Sequence, residues 1–189
     1  KSLFFNVISN AHLGRYDRCE ELLDAYSGPY RELSSLEKAG IALLRDRPED
    51  YLKASAEFSF TQYPFAESEQ NLKEIYTQRY DSKRKSPALA AAASAVIPGL
   101  GKIYAGELGE GLSSFLVTGS MAAITAENWI RNGGTNWKTI LFGTLSAAFY
   151  IGNIYGSYVS VSIHNNDIRN AQDTAILYHI HIPLRSSFD

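Results

Sequence analysis

The chain has 189 residues, 45% of them hydrophobic and 20% charged, which suits one globular domain or two small ones. Its net charge of -2 and isoelectric point near 6.1 argue against a nucleic-acid partner, because nucleic-acid-binding proteins carry a basic surface patch. The single cysteine, Cys19, excludes an internal disulfide framework and a cysteine-based metal site.

Apolar residues at helical spacing predict five short helices, separated by turns, in the first 80 residues. In the third of these, Glu37 is placed to help cap the N-terminus. The fifth follows Pro64 and carries Leu72, Ile75 and Tyr76 on one face. The first four expected helices cover residues 3–13, 16–26, 34–44 and 49–60.

Residues 13–19, Leu-Gly-Arg-Tyr-Asp-Arg-Cys, followed by Leu22 and Leu23, resemble the turn and second helix of a tetratricopeptide repeat. A weaker echo, without the glycine, lies about one repeat later at residues 48–51 with Ala54. The resemblance implies tetratricopeptide-like helical hairpins over residues 1–82. A generic helical bundle with the same apolar stripes stays open as an alternative.

Charge is distributed very unevenly along the chain. Of the charged residues, 27 fall within residues 1–85 and only six within residues 86–163. The uncharged stretch from Thr139 to Ile163 is about 38 Å long as a helix, enough to cross a hydrocarbon core roughly 30 Å thick. Together with the uncharged residues 111–126, it predicts a transmembrane or membrane-embedded helical hairpin over residues 83–166. The shorter run at residues 88–101, interrupted by Pro98, is expected to be re-entrant or interfacial.

Residues flanking these apolar runs suit the membrane surface. Trp129 and Trp137 bracket a polar turn, and indole rings prefer the headgroup level. The cluster Lys83, Arg84 and Lys85 precedes the first run and favours contact with anionic headgroups, although a solvated linker is the alternative. A water-soluble domain in which the central helices are simply buried also stays open.

Small residues recur every fourth position along the second hairpin helix and predict a groove for close helix packing. The shorter helix, with Gly119 and Ala123 at the same spacing, is the expected occupant, and a second protein or second copy would also fit. Asn153 is expected to face protein, because an unpaired amide is costly in lipid. The predicted packing residues are Thr144, Ala148, Gly152, Gly156, Ser160 and Asn153.

Residues 94–106, Ser-Ala-Val-Ile-Pro-Gly-Leu-Gly-Lys-Ile-Tyr-Ala-Gly, resemble the first motif of TM2-like hydrophobic hairpin domains, and residues 152–156 resemble the matching second motif. The resemblance implies a bacterial source, a membrane setting and no catalytic residues. A phosphate-binding loop is disfavoured, because the G-K-[ST] ending and a preceding strand are lacking. The predicted turn-forming residues are Pro98, Gly99, Gly101, Tyr104 and Gly106, whose glycines permit a tight backbone turn.

The tail, residues 167–189, contains His179 and His181 in alternation with apolar residues, which predicts a short terminal strand or an extended arm with both imidazoles on one face. A metal site there is disfavoured because no third ligand is evident.

These observations favour an all-α, non-enzymatic protein without cofactor or metal. The hypothesis is a membrane-anchored scaffold or accessory subunit of a bacterial envelope complex, whose partners are membrane lipid and other protein subunits. The alternative is an accessory factor for membrane-protein insertion or biogenesis. Charge asymmetry favours the inner membrane with cytoplasmic termini, whereas the resemblance favours export, so the sidedness stays open.

Overall fold

A computed structural model describes the backbone of residues 1–188 and the side chains of residues 1–185. Over these residues the regular secondary structure is helical and contains no strand, which confirms the all-α prediction. The helices are α1 (Ser2–His12), α2 (Tyr16–Asp24), α3 (Arg31–Leu44), α4 (Pro48–Ser55), α5 (Ala66–Tyr80), α6 (Pro87–Val96), α7 (Leu100–Ala105), α8 (Leu108–Asn132) and α9 (Trp137–Phe188).

The chain forms two compact units. The core unit comprises residues 1–83 and the end of the chain from Ile168, so it contains α1–α5 and the last part of α9. The hairpin unit comprises residues 84–167, with α6–α8 and the first part of α9. The tail expected from residue 167 onward therefore packs with the N-terminal helices.

Large apolar side chains hold the core unit together. In α3, Leu33, Leu36 and Leu43 are fully buried, and the end of α9 adds residues spaced by four, which lie on one helix face. A Cβ on Gly40 would lie 2.4 Å from Ile180 Cγ2, so α3 and α9 approach more closely than a larger residue would allow. Each buried leucine or isoleucine contributes about 1.5 to 3 kcal/mol. The α9 residues of this face are Ile176, Ile180 and Leu184.

The predicted strand around His179 and His181 is wrong, since both residues lie within α9. Alternation over five residues is too short to distinguish a strand from a helix. The spacing of Ile176, Ile180 and Leu184 is helical, and the tertiary core that buries these residues selects the helix. Because successive helical residues turn by about 100°, the two imidazoles do not share one face.

All five predicted N-terminal helices are present, with shifted ends. Because α3 begins at Arg31, Glu37 lies in its second turn and faces the core. The expected capping role of Glu37 is therefore wrong. The helix α4 ends at Ser55, before the expected end at Phe60, whose φ of 57° is not helical.

Local signals place the helix ends of the hairpin unit. Ser86 caps α6, where its hydroxyl accepts a hydrogen bond from Leu89 N at 3.3 Å, and Pro87 occupies the first helical turn. The turn at residues 133–136 joins α8 to α9, and the Thr139 hydroxyl donates to Gly133 O at 3.0 Å.

Within the described residues, no helix combines the length and the apolar character that crossing a bilayer requires. The uncharged stretch of α9 is long, but its Ser, Thr, Gly, Tyr and Asn residues lower its hydropathy. The hairpin is present as helices, and its predicted crossing of a bilayer gains no support from helix hydropathy.

Candidate functional site

The hairpin unit places large apolar side chains outside. Leu116 on α8 is 63% exposed, Ile151 on α9 is 65% exposed and Ile130 at the end of α8 is 84% exposed. Folded proteins in water rarely expose contiguous apolar patches of this kind unless something covers them. Other exposed apolar residues on the same two helices include Leu112, Phe115, Ile140, Phe149 and Tyr155.

The interior of the hairpin unit is small and polar. Its buried apolar cluster consists of only Ala90, Ala105 and Val161 among the described residues. This polarity is the reverse of that in the core unit, where leucine and isoleucine are buried. The buried polar residues of the hairpin unit are Ser94, Thr118, Thr139, Asn153, Ser157 and Ser160.

A hydroxyl-lined seam joins α6, α7 and α9. The hydroxyls of Ser94 and Ser157 are hydrogen-bonded at 2.7 Å, and Gly101 N donates to Ser94 Oγ at 2.8 Å. Ser157 also donates to the carbonyl of Asn153 at 2.9 Å. A Cβ on Gly101 would lie 2.1 Å from Ala90 O, so only glycine allows α7 to pack this closely. Gly101 was predicted from the sequence as a turn-forming residue, whereas the roles of Ser94 and Ser157 were not predicted.

The predicted turn residues lie at the two ends of α7. Gly99 and Gly106 have φ values of 87° and 110°, in the left-handed region that glycine adopts without strain. A Cβ on Gly99 would also meet the carbonyl of Gly111 on α8 at 2.0 Å. Tyr104 accepts a hydrogen bond from Ser86 N at 3.2 Å, and Pro98 follows the end of α6.

Two grooves flank the α8–α9 hairpin. The Asn153 groove, about 700 Å³, is lined by Lys102, Gly109, Glu110, Ser113, Ser114, Val117, Thr118, Leu145, Ala148, Phe149, Gly152 and Asn153. The Tyr150 groove, about 720 Å³, includes Phe115, Gly119, Trp129, Ala147 and Tyr150 in its lining. Both grooves lie within the hairpin unit and both are mostly apolar.

The packing residues predicted along α9 are partly exposed. Thr144, Ala148 and Gly152 are exposed, and nothing lies within 4 Å of a Cβ placed on Gly152. Gly156 packs against the Lys102 side chain, where a Cβ would lie 3.5 Å from Cε. Asn153 and Ser160 are buried, and the seam that fills this face comes from α6 and α7 rather than from Gly119 and Ala123 on α8.

The residues predicted at the membrane surface are mostly exposed. Lys83 and Arg84 are exposed, as are Trp129 at 63% and Trp137 at 66%. Lys85 is partly buried, because its ammonium donates to Ala105 O at 2.9 Å.

The core unit has a charged groove of about 690 Å³, bordered by α2, α3 and α4. Ion pairs line it, such as Lys38–Asp24 at 2.8 Å and Arg47–Glu20 at 3.1 Å. Exposed ion pairs contribute little to stability, so these side chains are free to exchange partners. Other charged lining residues are Arg31, Asp50, Lys53 and Glu57.

Three charged side chains are buried in the core unit, and their burial was not predicted from the sequence. Glu37 is fully buried, neither of its carboxyl oxygens has a hydrogen-bond partner among the described residues, and burial raises its pKa well above the usual range. Glu69 accepts a hydrogen bond from Phe60 N at 2.6 Å. The Arg79 guanidinium donates to Leu43 O at 2.7 Å, Gln172 Oε1 at 3.1 Å and Asp173 Oδ1 at 2.7 Å.

Burial also shifts the pKa of two other groups, the Cys19 thiol in α2 and the His179 imidazole in α9. It raises the pKa of the Cys19 thiol to about 11. It lowers the pKa of His179, against the opposing effect of Glu67. Among the described residues, no group of three or more His, Cys, Asp or Glu side chains is arranged to hold a metal ion.

No protein-family model matches the chain, and neither the curated proteins nor the solved structures contain a significant match.

Proposed function

We propose that this protein is a membrane-anchored helical adaptor of a bacterial envelope complex. Its hairpin unit lies among lipid tails, and its core unit binds another protein subunit. The observation that carries the proposal is the reversed polarity of the hairpin unit, with leucine, isoleucine and aromatic residues outside and serine, threonine and asparagine inside. Lipid tails cover such an exterior without the hydrophobic penalty that water imposes.

Face-specific polarity explains how a helix of modest mean hydropathy can suit lipid. The hydropathy of α9 is averaged over all sides of the helix, including the buried Asn153, Ser157 and Ser160. Those residues face the seam or other parts of the protein, whereas Ile140, Ile151 and Tyr155 face outward. The lipid-facing side is therefore more apolar than the average.

The length of the uncharged part of α9 and the flanking charges support the proposal, whereas the uncharged part of α8 is shorter than the hydrocarbon core. The uncharged part of α8, residues 111–126, is about 24 Å long, and that of α9, residues 139–163, about 38 Å, against a hydrocarbon core roughly 30 Å thick. Near the turn between α8 and α9, Glu127 and Arg131 form an ion pair at 3.1 Å. Lys138 immediately precedes the uncharged run of α9. Charges and tryptophans thus flank the apolar helices, as expected at a membrane boundary.

The charged groove of the core unit supports the second half of the proposal. Three of its cations, Lys38, Arg47 and Lys53, are paired with carboxylates of the same groove, which disfavours a nucleic-acid backbone as ligand. A protein segment carrying both signs of charge can exchange with these weak surface pairs. The resemblance of residues 13–19 to a tetratricopeptide repeat points to the same kind of partner. We place the complex at the inner membrane and leave its sidedness open.

Vesicle flotation tests the membrane half. The full chain is mixed with phosphatidylethanolamine–phosphatidylglycerol vesicles, floated on a density gradient and washed with carbonate. We expect it to float and to resist the wash. An aspartate within a lipid-embedded helix costs about 3 kcal/mol, so Leu116→Asp is expected to weaken partitioning roughly 100-fold.

The matched control is Leu52→Asp, which alters an exposed leucine on α4 of the core unit and is expected to leave flotation unchanged. Release of the chain by carbonate, or equal losses in both variants, would contradict the proposal.

The alternative function, an accessory factor for membrane-protein insertion, draws on the Asn153 groove, which offers an apolar helix a place beside α8 and α9. Crosslinking in cells from a photoreactive residue at Val117 distinguishes the two functions. A scaffold gives one or a few fixed partners, and an insertion factor gives many nascent clients.

A further inference from the structure

The geometry points to an occupant for the Asn153 groove: an apolar helix of a partner protein that presents a hydroxyl or amide side chain to Asn153. This inference rests on the proposed membrane setting, and it specifies the chemistry of one partner. Three observations carry it, namely the unpaired Asn153 amide, the open space over Gly152 and the filled seam one turn further along α9.

The side-chain amide of Asn153 lacks the hydrogen bonds that its position requires. Only 6% of the residue is exposed, and neither Oδ1 nor Nδ2 has a partner among the described residues. An amide buried away from water without hydrogen bonds is strongly unfavourable, in lipid as in a protein core. Rotation of the side chain toward the groove, where a ligand both donates and accepts a hydrogen bond, would remove the penalty.

The groove beside Asn153 has room for a helix to approach closely. Nothing lies within 4 Å of a Cβ built on Gly152 of α9 or on Gly109 of α8, and both residues line the groove. Ala148 and Ser113 are the next small residues along each wall. Small residues on both walls allow the backbone of a third helix to come near, as is typical of helix packing in membranes.

The adjoining seam shows what kind of helix packs on this face of α9. One turn beyond Asn153, Ser157 is hydrogen-bonded to Ser94 of α6, and Gly101 of α7 packs against the Ser157 side chain. Small residues and a hydroxyl therefore fill the seam where this chain supplies its own helices. The Asn153 groove continues that interface along α9, so an occupant of the same chemistry completes it.

A lipid acyl chain fits this groove less well than a helix does. It fills apolar space but carries no donor or acceptor that could reach Asn153 at the depth of the tails. The ion pair of Lys102 and Glu110, at 3.3 Å in the groove lining, instead suits the polar end of a helix.

Two synthetic peptides test the inference. Each is an apolar helix of roughly 20 leucine and alanine residues, one with a central asparagine and the other with leucine at that position. The full chain carries a photo-crosslinker at Val117, in the groove lining, and is reconstituted in phosphatidylethanolamine–phosphatidylglycerol vesicles. We expect crosslinking to favour the asparagine peptide by about 3- to 20-fold, the range of side-chain hydrogen bonds between membrane helices.

Three variants locate the binding. Asn153→Leu is expected to abolish the preference for the asparagine peptide, and Gly152→Leu to prevent crosslinking of both peptides by filling the groove. The matched control is Gly119→Leu, which places the same side chain in open space on the Tyr150 groove and should leave crosslinking unchanged. Equal crosslinking of the two peptides, or equal loss in Gly119→Leu, would overturn the inference.

Other occupants give distinct outcomes. Crosslinks between two copies at Val117 that persist in the presence of the asparagine peptide would assign the groove to a second copy and overturn the inference. Crosslinks to lipid alone would do the same. The peptide experiment is repeated in dodecylmaltoside micelles, so that failure of vesicle association, which counts against the proposed function, is separated from failure of groove binding.

Discussion

Replacement of Glu37 by glutamine should change how the stability of the core unit depends on pH. In the folded chain, burial raises the pKa of Glu37 well above its usual value of 4.5, so the carboxyl stays protonated. The unfolded chain exposes the same carboxyl to water, where it ionises near pH 4.5. The folded state therefore binds more protons above that pH, and the free energy of unfolding falls as pH rises. Glutamine is neutral in both states and lacks this effect.

The size of the effect follows from proton linkage. For as long as the native carboxyl remains protonated, each pH unit well above the unfolded pKa lowers the free energy of unfolding by about 1.4 kcal/mol. Between pH 5 and pH 7 the wild type should thus lose about 2.6 kcal/mol relative to Glu37→Gln if the native carboxyl stays protonated over this range. In addition, Glu37→Leu removes an unpaired polar group and should stabilise α3 by about 1 to 3 kcal/mol even at pH 5.

Hydrogen exchange of the full chain in micelles, read by mass spectrometry on α3 peptides, measures these differences after correction for the intrinsic pH dependence of exchange. The matched control is Glu32→Gln, a partly exposed glutamate on the same helix, which should leave the pH slope unchanged. If wild type and Glu37→Gln lose protection in parallel between pH 5 and pH 7, the buried carboxyl is not held protonated and the reasoning fails.

Further substitutions probe the packing of each unit. Ile180→Ala should destabilise the core unit by about 2 to 5 kcal/mol, because it leaves a cavity against Gly40, and thermal melting in micelles should show it. Arg79→Leu should cost about 1 to 3 kcal/mol by leaving Gln172 Oε1 and the partly exposed Asp173 carboxylate without their donor, read by proteolysis of the core unit; an unchanged rate of proteolysis would contradict it. Gly101→Ala should disrupt α7 and accelerate exchange of its amides, whereas Gly109→Ala, with open space at Cβ, should not.

The N-terminal helices were predictable because their signals are local. Apolar residues at a 3.6-residue period, with breakers such as Pro48 and the segment 27–29, place the helices α1–α5 from sequence alone. The end of α3 was predicted well and its start was not, since no strong capping residue marks Arg31. That shift decides whether Glu37 caps a helix or enters the core.

The candidate site was predictable only in part. The glycines of residues 99–106 act locally and were predicted as turn residues through the resemblance to the first motif of TM2-like hairpin domains. The seam partners Ser94 and Ser157 are 63 residues apart, and no pattern along the chain joins two such ordinary residues. Of the packing residues predicted along α9, Asn153 and Ser160 are buried, whereas Thr144, Ala148 and Gly152 are exposed, because a stripe with a period of four drifts around a helix of 3.6 residues per turn.

The sequence by itself determined the helical class, most helix positions and the uncharged hairpin, because periodicity, breakers and charge act within a few residues of where they occur. Only the tertiary structure decided that the tail is helical, that Glu37 and Arg79 are buried, and that the hairpin unit turns its apolar residues outward. These outcomes depend on which distant side chains share an interior, and free energies of burial and hydrogen bonding between segments far apart in the chain leave no local pattern.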